Sequence, residues 1–70
     1  MNKYAIFIAP TSTGYSAHVP DLPGCIAAAT TYPETVALIH EAIEYHIEGM
    51  LLHGEPAPEP KTLAESIEVA

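Results

Sequence analysis

The sequence contains no tryptophan, no arginine and one cysteine, and its 70 residues include only two lysines. A single cysteine cannot form an intrachain disulfide, so no disulfide framework supports the fold. A chain of this length buries only about 60% of the surface that it exposes when unfolded, which leaves a lone copy marginally stable. We therefore expect residues 1–70 to form a single domain that associates with itself as a homodimer or tetramer.

The shortage of cations limits the classes of partner. Nine acidic residues against two lysines give a net charge of −7. Because Lys and Arg supply most of the affinity for phosphates, we expect no direct binding to nucleic acid. The apolar run at residues 5–9 is too short for a signal peptide, and no run approaches the ~20 residues that span a bilayer. A cytoplasmic protein with no membrane contact and a basic protein partner is expected.

The first thirty residues show the pattern of β-strands. Residues 3–9 alternate, with Tyr4, Ile6 and Ile8 on one face, and residues 15–19 alternate again. Residues 25–30 predict a third strand of small side chains that would let a helix approach closely. The segment PDLPG at positions 20–24 has the proline and glycine of a type II turn. Positions 3–30 therefore predict a three-stranded antiparallel sheet.

A long helix is predicted over residues 31–54. Thr31 as the N-cap and Glu34 three residues later form a capping box, and Gly54 is typical of a helix C-terminus. The apolar positions recur at helical spacing: Val36, Ile39, Ile43, Ile47 and Met50. At about 1.5 Å per residue such a helix is longer than the strands, so its last turns should overhang the sheet. Met50, Leu51 and Leu52 are therefore the expected oligomer interface.

Residues 55–70 are predicted to form a proline-rich extended tail. Proline alternates through positions 56–60, which excludes a helix or a central strand there. Residues 66–69 can add a short final strand. The resulting fold class is α+β with the order β-β-β-α-β. Only 16 residues follow Gly54, so we expect no DNA-binding domain.

No residue pattern indicates an enzyme or a cofactor. His40, His46 and His53 are six and seven residues apart, whereas paired ligands on a helix need a spacing of three or four, so no metal site is expected. Cys25 lacks an electropositive setting and is interpreted as a small core residue. A metal-dependent or small-molecule enzyme remains only a remote alternative.

Two groups of residues are candidate partner contacts. The first is Asp21, Leu22 and Pro23, which we expect in an exposed turn. Asp21 has the alternative role of hydrogen-bonding the neighbouring backbone to hold that turn. The second group is the helix stripe of Glu41, Glu44 and Glu48, which can be a solvated face or a docking surface for a cationic protein.

The order of these segments resembles the HicB-like antitoxin family over roughly residues 4–60. The resemblance rests on Gly14-Tyr15 at the second strand, on the run VPDLPGC at 19–25, and on a Thr-capped helix containing EAIE at 41–44. The helix is followed by GEPAPEP at 54–60. The family likeness implies a domain similar to part of the ribonuclease H fold, without its activity.

The resemblance also implies a function. Family members pair with HicA, a small basic ribonuclease that cleaves mRNA, and block its active site. The chain is accordingly predicted to be an antitoxin-like binding module without catalytic activity. The alternative is an orphan homo-oligomeric structural or regulatory protein that keeps the fold without a toxin.

Overall fold

Residues 3–70 are described by a computed structural model of the chain. Three strands, β1 (Phe7–Pro10), β2 (Tyr15–His18) and β3 (Ile26–Ala29), precede one helix, α1 (Tyr32–Leu52). The strands form an antiparallel sheet in the order β1-β2-β3, and α1 packs across β2 and β3 on one face. The predicted α+β class, with three strands followed by one long helix, is confirmed.

The first strand is shorter than expected, because it starts at Phe7 instead of residue 3. Its partner β2 pairs with it from Pro10↔Tyr15 to Phe7↔His18. Beyond His18 the chain turns away, and the N–H of Val19 bonds the carbonyl of Cys25 instead. Residues 3–6 therefore have no neighbouring strand with which to pair.

Gly14 allows the β1–β2 turn to lie close to the end of β3. The N–H of Thr11 donates to the Gly14 carbonyl at 2.7 Å and closes the turn. A Cβ at Gly14 would lie 2.2 Å from the Ala29 carbonyl oxygen and 2.7 Å from the Cα of Thr30. Only glycine fits this backbone contact without displacing β3.

The ends of α1 follow the sequence signals closely. The Thr31 hydroxyl accepts from the Glu34 N–H at 3.3 Å, and the Glu34 carboxylate accepts from the hydroxyls of Thr30 and Thr31, each at 2.9 Å. These bonds, those from Thr31 first, hold the pKa of Glu34 below its usual value. At the other end the His53 N–H bonds helix carbonyls, and Gly54 adopts φ +73°.

The core is small and lies between α1 and the β2–β3 pair. Its fully buried apolar residues are Ala17, Val19, Leu22, Cys25 and Ile39. Burial raises the pKa of the Cys25 thiol, which agrees with the prediction of an unreactive core residue. Within the predicted apolar helix stripe only Ile39 is fully buried. The other members remain half-exposed, because α1 does not pack over β1.

The tail runs across one end of the sheet without forming a strand. The Tyr4 hydroxyl donates to the Pro58 carbonyl, and three residues later the tail is bonded to Asp21. The short strand expected over residues 66–69 is therefore wrong for this structure, since residues 55–70 contain no regular secondary structure. The route from Tyr4 towards the β2–β3 connection leads the chain away from the free edge of β1.

The molecule is elongated for its length. Its radius of gyration is 13.4 Å, compared with about 11 Å for a compact 70-residue domain. The accessible surface is 5455 Å², whereas a folded monomer of this mass exposes about 4,200 Å². The excess reflects the overhanging end of α1 and the exposed tail.

Candidate protein-docking surface

The outer face of α1 carries an acidic ridge made of Glu41, Glu44 and Glu48. All three side chains are exposed, and their spacing places them along one side of the helix, opposite the buried Ile39. His40 Nδ1 lies 3.8 Å from Glu44 Oε1, but both side chains are more than two-thirds exposed, so this pair is weak. Glu44 and Glu48 are one turn apart and repel each other, a cost that a cationic partner would relieve.

Two apolar troughs flank the ridge. The first, about 380 Å³ in volume, is named the β1 trough after the segment that leads into β1. It is lined chiefly by Tyr4 and Ile6 of that segment with Val36, Ile43 and Ile47 of α1. The β3 trough, about 340 Å³, lies on the other side of the helix. The ridge is therefore a narrow charged strip between two apolar surfaces, which resembles the mixture of anchor pockets and charge in protein interfaces.

The β3 trough contains residues that sequence reasoning did not select. Leu38 and Tyr45 line it from α1, and Ile26 lines it from β3. Leu38 is 44% exposed, Tyr45 66% and Ile26 70%. The signal was available, because Leu38, Tyr45 and Leu52 recur every seven residues and so share one side of the helix.

Asp21 binds the tail instead of its own turn. Its Oδ2 accepts from the N–H groups of Lys61 and Thr62, both at 2.9 Å, and its Oδ1 accepts from the Thr62 hydroxyl at 2.8 Å. These bonds, those from Thr62 first, lower the pKa of Asp21. The carboxylate therefore joins the β2–β3 connection to residues 61–62, a contact that spacing in the sequence could not show.

The exposed turn expected at Leu22 is wrong, because Leu22 is 0% exposed. Two successive tight turns, closed by the N–H of Leu22 on the Val19 carbonyl and the N–H of Cys25 on the Leu22 carbonyl, direct this side chain into the core. The second turn has Gly24 at φ +84°, as a type II turn requires. Pro23 is exposed as expected.

The end of α1 extends past the sheet. Met50 is half-buried, while Leu51 is 62% and Leu52 78% exposed. Leu51 and Leu52 also border a further open trough that continues the β1 trough along the helix. The acidic ridge and this apolar helix end therefore lie on the same element, whereas Asp21 and Pro23 lie on the β2–β3 connection.

Two other kinds of site are absent from the described part of the chain. Among residues 3–70 no group of three or more His, Cys, Asp or Glu side chains is placed to hold a metal ion. In the same residues no helix has the length and apolar character needed to cross a bilayer.

Comparisons with known proteins give the family. A family model described as "HicB_like antitoxin of bacterial toxin-antitoxin system" matches residues 4–69. An uncharacterized 14.9 kDa protein of Haemophilus phage HP1 is 41% identical over 64 residues, covering 91% of this chain and 48% of the relative. The chain thus spans about half the length of that relative.

Two further matches agree. The UPF0150 protein Ta0767 of Thermoplasma acidophilum is 39% identical over 57 residues, which cover 80% of this chain and 83% of that protein. A solved structure titled "HicA3 and HicB3 toxin-antitoxin complex" superposes with a TM-score of 0.72 at 37% identity. That match covers 84% of this chain and 70% of the other. This chain belongs to the HicB-like antitoxin family of bacterial toxin–antitoxin systems.

Proposed function

We propose that this chain neutralises a small basic ribonuclease of the HicA kind by binding it through the acidic ridge and masking its active site, without catalysing a reaction itself. The observation that carries the proposal is the position of Glu41, Glu44 and Glu48 as exposed carboxylates between two apolar troughs. Family membership and the similarity to a chain of a HicA3–HicB3 complex support the choice of partner.

The charge of the ridge accounts for recognition. An mRNA-cleaving enzyme needs cationic side chains to hold phosphates, and these side chains are complementary to a row of carboxylates. Charge complementarity of this kind mainly accelerates encounter and sets orientation. An acidic row that occupies a phosphate-binding surface also excludes RNA, which provides a physical route to inhibition.

The troughs account for affinity. Leu38 and Tyr45 in the β3 trough, and Ile43 and Ile47 in the β1 trough, present apolar surface on both sides of the ridge. Burial contributes roughly 25 cal/mol per Å², and a large aromatic such as Tyr45 is typical of interface hot spots. We infer that the toxin contacts both the ridge and at least one trough.

The proposal includes self-association. Met50, Leu51 and Leu52, the interface expected from the sequence, form an apolar helix end whose leucines are exposed, and a second copy covering them would remove this surface from water. Whether the assembly is a dimer or a tetramer depends on how many such surfaces each copy uses.

The experiment compares two charge reversals in the presence of a HicA-type ribonuclease encoded beside this chain. Replacing Glu41, Glu44 and Glu48 by Lys should raise the Kd for the toxin at least about 100-fold, because like charges across an interface cost several kcal/mol. The matched control reverses Glu59, Glu65 and Glu68, which are exposed in the tail. RNA cleavage should remain inhibited by the tail variant and resume with the ridge variant.

The possible results of this experiment distinguish docking on the ridge from the alternatives. Equal loss of inhibition by both variants would show that only net charge matters and would contradict docking on the ridge. Failure of the unmodified chain to inhibit or bind the ribonuclease would reject the antitoxin function and favour the orphan protein.

A further inference from the structure

The carboxylates of this molecule all lie outside its β-strands. The sheet consists of FIAP in β1, YSAH in β2 and IAAA in β3, none of which contains Asp, Glu, Lys or Arg. All nine carboxylates lie outside the strands, in the β2–β3 connection, α1 and the tail. A net charge of −7 is thus carried by a molecule whose sheet is neutral.

The side of the sheet that faces away from α1 is uncovered. Register places Phe7, His18 and Ile26 in one cross-strand row, and Ala9, Ser16 and Ala28 in the next. These six residues form the outer sheet face. Ile26 is 70% and Phe7 42% exposed, and the Phe7 ring meets the His18 ring edge-on, with centroids 5.3 Å apart.

We propose that the outer sheet face binds a second copy of this chain, face to face. The inference rests on the self-association contained in the proposed function, and adds a place for it that differs from the helix end. It goes beyond toxin neutralisation because it assigns the two sides of the molecule to different partners.

The charge distribution favours a second copy of this chain as the partner of the outer sheet face. Two chains of net charge −7 repel each other, and the part of this repulsion that comes from the four carboxylates of α1 is smallest when the two helices point away from one another. Contact through the outer sheet faces achieves this arrangement. A cationic toxin, by contrast, meets no carboxylate on the strands and gains nothing from charge there.

The shape of the face fits a symmetric contact. One row contains the larger side chains, among them Phe7 and Ile26. The other row contains only small side chains: Ala9, Ser16 and Ala28. A two-fold axis that lies in the interface, parallel to the sheet and perpendicular to the strands, can therefore place the larger row of one copy against the smaller row of its partner. Such a self-complementary contact closes on itself and does not extend into a filament.

The size of the face sets the expected strength. Three strands of four residues measure about 14 by 13 Å, which is smaller than the roughly 800 Å² that each partner contributes to a standard interface. We therefore expect association that depends on concentration in the micromolar range, with rim residues adding to the contact.

The test measures self-association by sedimentation velocity across the micromolar range. Ala9→Glu and Ser16→Glu each place a carboxylate on the outer sheet face, at positions that line neither the β1 trough nor the β3 trough. Either should weaken association more than about tenfold, because an unpaired charge would be buried. Ala37→Glu adds the same charge on an exposed position of α1 and should leave the association within about twofold. Far-UV circular dichroism verifies that each variant is folded.

A second test measures the self-association of the unmodified chain at increasing salt concentration. Raising the salt from about 0.01 M to about 0.1 M shortens the screening length from about 30 Å to about 10 Å. Self-association through a neutral face should tighten, because only repulsion is screened, whereas binding of a HicA-type toxin should loosen. The inference would be overturned if folded Ala9→Glu and Ser16→Glu associated as the unmodified chain does, if the unmodified chain did not self-associate, or if its association weakened with salt. Loss of toxin binding alone would reject the proposed function and leave this inference standing.

Discussion

Replacing Leu22 by Ala should destabilise the fold strongly. The side chain is 0% exposed and belongs to a core that contains five buried apolar residues among residues 3–70. Leu→Ala substitutions at buried sites cost about 2–5 kcal/mol, comprising the lost transfer free energy and the cavity left behind. A 70-residue domain is stable by about 3.5–10 kcal/mol, so a large share of the total is lost.

The assay is urea denaturation followed by the far-UV circular dichroism of α1, at one protein concentration for all variants. Leu63→Ala is the matched control, since it removes the same atoms from a side chain that is 93% exposed, and its stability should change by less than about 0.5 kcal/mol. A result in which the two variants have the same midpoint would refute the burial of Leu22. Leu22 would then lie in the exposed turn that the sequence predicts.

Three further predictions concern the backbone and the tail. Thr31→Ala removes the N-cap of α1 and should cost about 0.5–2 kcal/mol in urea denaturation, with Thr30→Ala as a milder comparison. Gly14→Ala drives a Cβ against the Ala29 carbonyl and should cost about 1–3 kcal/mol from overpacking; an unchanged midpoint would contradict the close approach. The pKa of Asp21 is lower in the folded chain than in the unfolded chain. Its bonds to the tail therefore stabilise the folded state at pH values above the ordinary carboxyl pKa, and this stabilisation is lost as the pH falls through the lowered value. The protection factor of the Thr62 amide, which is the exchange rate corrected for its intrinsic pH dependence, should therefore fall in acid, and in Asp21→Asn already at pH 7.

Local features of the fold were predictable because each is specified by neighbouring residues. The N-cap at Thr31 needs only Glu34 three positions later, and the helix end needs only Gly54 in a left-handed conformation. The turn at Pro23 and Gly24 follows from the dihedral preferences of the two residues. These elements appear where the sequence indicated them.

Features that depend on distant contacts were not predictable. The bonds from Lys61 and Thr62 to Asp21 join residues about forty positions apart, and no local pattern indicates them. Leu22 was assigned to an exposed turn because Pro and Gly surround it, but the direction of its side chain depends on two consecutive turns beneath α1. A final strand over residues 66–69 would need a partner edge in the sheet, and the residues that follow one another in the tail do not indicate whether such an edge is within reach.

The candidate site was predictable in part. The acidic ridge follows from helical spacing alone, and Glu41, Glu44 and Glu48 are exposed as a docking surface would require. The troughs beside it depend on where α1 crosses the sheet. Because α1 covers β2 and β3 but not β1, Ile43 and Ile47 remain partly open instead of entering the core.

The most direct test of the central claim is to map the toxin contact on the isotope-labelled chain by NMR as unlabelled HicA-type ribonuclease is added. The account predicts that amide signals of Leu38, Glu41 and Glu48 on α1 shift or broaden, while those of Phe7 and Ala9 in β1 keep their positions. Perturbation of the strands with an unaffected α1 would contradict docking on the acidic ridge.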